Sequence, residues 1–432
     1  MQSPSSDDPG GTPMGSEDCL TLNVYEPAHA SALLPVLFFI HGGFFTWGSS
    51  AMRQEGVDEY DGGYLATHAN AVVVTINYRI GALGFFAHPA LGGGSFGLQD
   101  QIAALAWVQR NGKQFHGDPS HVMIFGQSAG AISVAALVAS PKSRGLFASA
   151  MVLSGSSYAR PLALAQKEGV ALGAALDCPG DDDKALACLR SKSGSAVVAA
   201  GALSFAPGGY TWGPTIDGDV LPMKPFDAFA RGQQNRVPLI IGNTANEFST
   251  MIRHYMKETP VDTPAHYEAA VKAWDPAALA HYPAASYAST VAAFTALFSD
   301  RAQVCPAQAL AAVASKNQPV RRYVYSHAFE SGPLAKYGAG HGFDLRLLFH
   351  ASPASQLVLS PQEEQLSAAM IRYVARFAKT GDPNGGGDVA WPAYDPAKNS
   401  FLDFDTASIA LGAGDRAEQC EYWNRAARPK PR

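Results

Sequence analysis

Ser128 lies in Gly126-Gln127-Ser128-Ala129-Gly130, between the apolar run His121-Val122-Met123-Ile124-Phe125 and an alanine-rich stretch from Ala129 to Ala139. A strand, a glycine-flanked serine and a helix are the parts of a nucleophile elbow, where the chain reverses so sharply that the hydroxyl stands above the sheet. The glycines permit the reversal because a side chain at either position would clash. A serine so placed attacks a carbonyl carbon if a base takes its proton, an acid orients the base and backbone N–H groups hold the oxyanion. Glycine is 42 of 432 residues, so chance alone produces such a pattern and the partners decide its meaning.

The oxyanion candidate is Phe39-Ile40-His41-Gly42-Gly43-Phe44-Phe45, where an apolar run ends and two glycines free the backbone to aim N–H groups into a pocket. The expected donors are the amides of Gly43 and Phe44, with that of Ala129 beside the serine. Taken alone, the segment reads equally well as a Gly-Gly turn. When such an elbow carries a triad, the acid and then the histidine follow the serine along the chain. Glu247 comes after the run Val237 to Ile241 and the stretch Gly242 to Asn246, at the strand edge where open α/β sheets put ligands. Spacing alone leaves it open between an acid and a solvated loop glutamate. His341, in Gly338-Ala339-Gly340-His341-Gly342-Phe343, is the candidate base. His41, His68, His88, His116 and His121 precede Ser128 and have the wrong order, while His254, His327 and His350 remain as rivals.

These residues need a frame. Val36 to Ile40, Val72 to Ile76, His121 to Phe125, Ala150 to Leu153, Val237 to Ile241 and Tyr323 to Tyr325 read as buried strands. Helical patterns lie between them, as at Leu98 to Arg110, Pro161 to Leu176 and Glu363 to Lys379. Alternating strands and helices predict a mostly parallel sheet covered on both faces. Pro260 to Ala312 is alanine-rich and is expected to cap it. No Gly/Ser linker divides the chain, which predicts one domain over residues 1–432. Hydrophobic residues at 47% and charged residues at 16% fit a large globular core. A net charge of -5 gives no basic field for nucleic acid. No stretch reaches the ~18 uninterrupted apolar residues of a membrane span.

Longer blocks resemble the type-B carboxylesterase and cholinesterase-like family of α/β-hydrolases. Glu17-Asp18-Cys19-Leu20-Thr21-Leu22-Asn23 is similar to the family's E-D-C-L-x-L-N signature, and His41 to Phe44 to its oxyanion loop. Asn77-Tyr78-Arg79, Gly97-Leu98-Gln99-Asp100-Gln101, Gly117-Asp118-Pro119, Gly213 to Gly218, Gly381-Asp382-Pro383-Asn384 and Trp391-Pro392 follow in family order. The resemblance covers nearly the whole chain. It implies an α/β-hydrolase fold and an esterase with the triad Ser128, Glu247 and His341, needing neither metal nor cofactor. It further implies a small-molecule ester as partner and an ion pair between Glu17 and Arg79. Phe44, Phe45, Trp47, Tyr210, Trp212, Phe248 and Phe343 are candidate apolar walls of the ester pocket.

Departures from the family pattern carry information. Gln127 stands where the family usually has glutamate, which predicts a preference for neutral over cationic esters. No aromatic residue occurs from Met1 to Asp18, where the family's choline-recognising aromatic lies. The family usually has several tens of residues before its signature, so the chain reads as N-terminally truncated. Cys178 with Cys188 and Cys305 with Cys420 resemble two family disulfides, leaving Cys19 unpaired. Disulfides point to an extracellular or periplasmic setting. Met1 to Gly15 shows no apolar signal segment, which leaves the cytoplasm open.

Overall fold

Short runs of β-branched and aromatic residues, each broken by glycine, proline or a polar turn, make the strands. In the computed structural model, which describes residues 13–54, 57–201, 211–252, 256, 259–350 and 358–426, nine of them form one sheet. They are β1 (Leu22–Tyr25), β2 (Leu34–Ile40), β3 (Val72–Ile76), β4 (Gly117–Gln127), β5 (Ser149–Leu153), β6 (Leu239–Thr244), β7 (Val320–Tyr325), β8 (Phe401–Phe404) and β9 (Ala410–Gly412). Their order across the sheet is β1-β3-β2-β4-β5-β6-β7-β8-β9. From β3 to β8 every neighbouring pair is parallel. The two outermost pairs, β1 with β3 and β8 with β9, are antiparallel.

Helices cover both faces. They include α1 (Phe96–Asn111), α2 (Ala129–Ala139), α3 (Leu162–Ala175), α4 (Thr290–Ser299), α5 (Cys305–Ala314), α6 (Phe343–Leu348), α7 (Pro361–Thr380) and α8 (Ala417–Ala426). Strand alternation divides the core between the faces. Val36, Phe38 and Ile40 of β2 pack with α1, α2 and α5, while Leu37 and Phe39 pack with α6 and α7. All eleven residues of α2 are buried, as suits a helix directly behind a parallel sheet. A third cluster, with Tyr267, Tyr282, Phe294 and Leu297, forms between the 260–305 helices and α8. It surrounds the Cys305–Cys420 disulfide, whose Cα atoms are 4.8 Å apart.

The expected strands appear, most of them with longer ends and Val72–Ile76 with the expected ones. One differs in kind: Pro238 delays β6 to Leu239, and the strand runs through Gly242-Asn243-Thr244, which the sequence reads as loop. β1 and β9 lie at the sheet edges, and neither has a buried residue to mark it. Arg79 does not pair with Glu17. Its Nε and Nη2 grip both oxygens of Asp100 at 2.8 and 2.7 Å, a bidentate fit that leaves no demand for a second carboxylate. Glu17 instead accepts the Gly194 N–H at 3.1 Å, at the start of a short helix where negative charge is favoured. Cys178 and Cys188 are bridged, with Cα atoms 5.6 Å apart, and Cys19 is a free thiol. Among the described residues no helix is long and apolar enough to cross a membrane.

Candidate active site

Ser128 joins β4 to α2 at φ +59° and ψ −122°, a backbone conformation that non-glycine residues rarely adopt. Surrounding bonds hold it there: its N–H donates to Leu153 O at 3.0 Å, and its carbonyl accepts from Ile132 N at 3.0 Å. Gly130 shows why the elbow is tight, since a Cβ there would lie 2.0 Å from the Ile40 carbonyl oxygen. The same five-residue spacing recurs at Gly93-Gly94-Ser95-Phe96-Gly97. Ser95 is fully buried and its hydroxyl trades hydrogen bonds with the Thr215 backbone, so that copy is structural.

The turn after β2 lies against Ser128. A Cβ on Gly42 would come 3.1 Å from Ser128 Cβ. Gly43, Phe44 and Phe45 all have positive φ, and the Gly43 carbonyl accepts N–H bonds from Thr46 and Trp47 at 2.9 and 3.0 Å. A Cβ on Gly43 would sit 2.0 Å from Trp47 O, so the turn requires glycine there. Ala129 is the first residue of α2, and its N–H therefore has no acceptor within the helix. His41 braces the turn. Its buried ring donates from Nδ1 to Gly42 O at 2.8 Å and stacks on Tyr78 at 4.5 Å. Burial lowers its pKa to about 4, keeping the ring neutral.

Glu247 follows β6 and is wholly buried. Its Oε1 accepts the Thr244 N–H at 2.8 Å, and its Oε2 is hydrogen-bonded to His341 Nδ1. The loops after β6 and β7 are stitched together one residue earlier: Asn246 N donates to Ala339 O at 3.0 Å, and Ala339 N donates to Asn246 Oδ1 at 3.1 Å. The Phe248 ring lies nearly parallel to the imidazole, 6.1 Å away. A Cβ on Gly342 would come 3.4 Å from Gln127 Nε2, so the histidine loop packs on the residue preceding Ser128. His327 is elsewhere, held between Glu363 at 3.0 Å and the Thr406 hydroxyl at 3.1 Å. His350 pairs with Glu364 at 2.6 Å. His254 lies outside the described residues.

Residues 1–423 match the Carboxylesterase family. The chain belongs to the carboxylesterase family. This carboxylesterase is similar to the cocaine esterase of Homo sapiens, with 33% identity over 440 residues that span 95% of this chain and 76% of the relative. It is similar also to the pyrethroid hydrolase Ces2e of Rattus norvegicus, at 33% identity over 95% of this chain and 74% of the relative. A more distant likeness is to the acetylcholinesterase of Bungarus fasciatus, at 31% over 95% and 72%. Membership makes the chain an α/β-hydrolase and a carboxylic-ester hydrolase.

The expected pocket aromatics divide in this carboxylesterase. Phe45, Trp212 and Phe343 belong to the buried core; Phe45 packs edge-to-face on Phe85, and Trp212 Nε1 donates to Gly201 O at 2.9 Å. Phe44 and Trp47 are half-buried in the turn beside Ser128. Phe248 stacks on His341, and Tyr210 lies outside the described residues. A groove of about 680 Å³, walled by Phe147, Met223 and Val237, touches none of the candidate residues and lies at the starts of β5 and β6.

Sequence reasoning missed Asp344. It is fully buried on α6, three residues after His341, and accepts the Tyr323 hydroxyl at 2.7 Å. Burial above all pushes its pKa up to about 6; the Tyr323 hydrogen bond opposes this, and the nearby Glu247 charge adds to it.

Proposed function

We propose that Ser128, His341 and Glu247 are the nucleophile, base and orienting acid of one α/β-hydrolase domain that cleaves small, neutral, fairly apolar esters. The contact between Glu247 and His341 Nδ1 carries the reading. With Nδ1 turned to the carboxylate, Nε2 is the nitrogen left to take the Ser128 proton. Ser128 Oγ attacks the ester carbonyl, and the oxyanion is held by the amides of Gly43, Phe44 and Ala129. Each such donor is worth roughly 3 kcal/mol of transition-state stabilisation. The imidazolium then protonates the leaving alcohol, and water releases the acid from the acyl-enzyme by the same steps. Glu247 stabilises the imidazolium and fixes its ring.

Gln127 supports the neutral-ester preference. It is 5% exposed, packs between Gly42 and Gly342, and places an uncharged amide beside Ser128. The half-buried Phe44 and Trp47, with Phe248, supply apolar surface. The two disulfides support an extracellular or periplasmic setting.

The test is turnover of a neutral chromogenic butyrate ester, set against a choline ester of the same acid. The neutral ester is the better substrate, and an organophosphate abolishes turnover by modifying Ser128. Ser128→Ala lowers turnover by ~10⁴-fold or more while the circular dichroism spectrum is unchanged. Wild-type turnover in that variant would sink the assignment.

A further inference from the structure

Among the described residues the helical cap contains one five-residue π turn, Asp300–Val304, between α4 and α5. π turns are uncommon and concentrate at functional sites. Here the side chains at and beside the turn reach toward the loop that carries Glu247. Ser299, the last residue of α4 and 1% exposed, accepts the Phe248 N–H at 3.2 Å. Gln303, 2% exposed, donates to Ser154 O at 3.0 Å, and the Ser154 N–H donates in turn to Gly242 O of β6 at 2.8 Å. Asp300, wholly buried, accepts the Tyr282 hydroxyl at 2.9 Å and pairs with Arg416 Nε at 3.4 Å. Arg416 Nη2 then reaches Ala245 O at 3.4 Å. Glu247 therefore lies between a carbonyl at 245 and an N–H at 248, each held by a side chain from outside its own loop.

We infer that Ser299 and Arg416 are positioning residues for Glu247, acting from the π turn and the start of the C-terminal helix; the inference rests on the triad proposed above. Removing the Ser299 hydroxyl leaves a buried N–H at Phe248 without an acceptor, which the loop relieves only by moving. Glu247 is the adjacent residue and moves with it. A displacement of 1 Å in a reacting constellation can cost ~10²-fold in rate, so a smaller one costs about tenfold. The charged groups facing His341 are Glu247 from the loop after β6 and Asp344 from α6. Both remain in the variants. A looser Glu247 stabilises the imidazolium less, which the acid limb of the pH–rate profile reports.

The experiment uses the full chain and counts active sites by organophosphate labelling, so that only folded, competent molecules enter the rate. In Ser299→Ala, kcat per labelled site falls about tenfold, KM stays within about twofold, and the acid limb of the kcat/KM profile moves to lower pH. Arg416→Lys keeps a positive charge beside Asp300, loses the reach to Ala245 O, and shows the same signature in smaller measure. It carries the test if Ser299→Ala yields no labelled protein. A loss confined to the amount of labelled protein, with per-site kcat and the acid limb unchanged, overturns the positioning role. Wild-type chain that neither labels nor turns over refutes the triad itself, before any variant is compared.

Discussion

Ser128 and Glu247 stand at the same edge of the sheet, after β4 and β6, with β5 between them. The chain holds them by opposite means. Around Ser128 the work is done by backbone packed too closely for side chains: Gly130 against the Ile40 carbonyl, Gly42 against Ser128, Gly43 folded under Trp47. Around Glu247 it is done by polar side chains reaching across elements: Asn246 to Ala339, Ser299 to Phe248, Arg416 to Ala245. The first arrangement has almost no tolerance for added atoms. The second tolerates atoms but not the loss of a hydrogen-bonding group. The difference separates strain fixed by local chain geometry from alignment maintained by tertiary contacts.

The comparison breaks most sharply at the histidines. His341→Ala is expected to lower kcat/KM by ~10⁴-fold, because Ser128 then has no base and Glu247 has no imidazole to orient. His327→Ala should lose stability, since it empties a buried site between Glu363 and Thr406, but keep turnover within a few-fold per folded molecule. The reverse ranking in steady-state assays would move the base to the wrong loop.

Next come the two modes of support. Gly130→Ala puts a carbon 2.0 Å from a backbone oxygen that no rotamer can move. A cost above ~4 kcal/mol follows, at the diagnostic end of single substitutions. Asn246→Ala removes one acceptor for the Ala339 N–H and should cost ~1–3 kcal/mol. Denaturant melts that rank the two equally would erase the distinction between backbone and side-chain support.

The last effect is the most specific. Folding raises the Asp344 pKa from its unfolded value near 4 to about 6, mainly through burial. A carboxyl raised on folding contributes stability that is present below its unfolded pKa and is lost as pH rises through about 6. Asp344→Asn cannot ionise, and its carbonyl can still accept the Tyr323 hydroxyl. Relative to wild type the variant should therefore gain ~2–3 kcal/mol between pH 4 and pH 8. Asp300, shifted up likewise, and His41, shifted down, are common to both proteins and cancel in the difference. A pH-independent difference in melting free energy would show that Asp344 is not buried as an ionisable acid.

How much of this was legible in the sequence follows the same division. Glycine requirements are local and leave a signature, so the elbow, the turn after β2 and the glycines around His341 could be read directly. The central strands were legible because both faces of a parallel sheet are buried and the runs are continuously apolar. Resemblance supplied Glu247, which spacing alone left open. The Glu17–Arg79 pairing failed because charge types do not report which carboxylate has the better geometry; Asp100, in the next motif, did. Ser299, Asp300, Asp344 and Arg416 had no visible pattern, because their partners lie on distant elements and a serine or aspartate in a helix looks solvated until the cap folds over it.

The Cys305–Cys420 bridge spans 115 residues, and His341 lies 94 residues beyond Glu247. The strands, turn and helix that shape the elbow all precede residue 154. A growing polypeptide therefore makes its elbow early and acquires Arg416 and Cys420 nearly three hundred residues later. At ~5–20 residues per second, Cys420 is added roughly 15–60 s after Ser128. Through nearly all of that interval the elbow segment is complete while the Arg416 guanidinium, which reaches Ala245 O beside Glu247, has yet to be made.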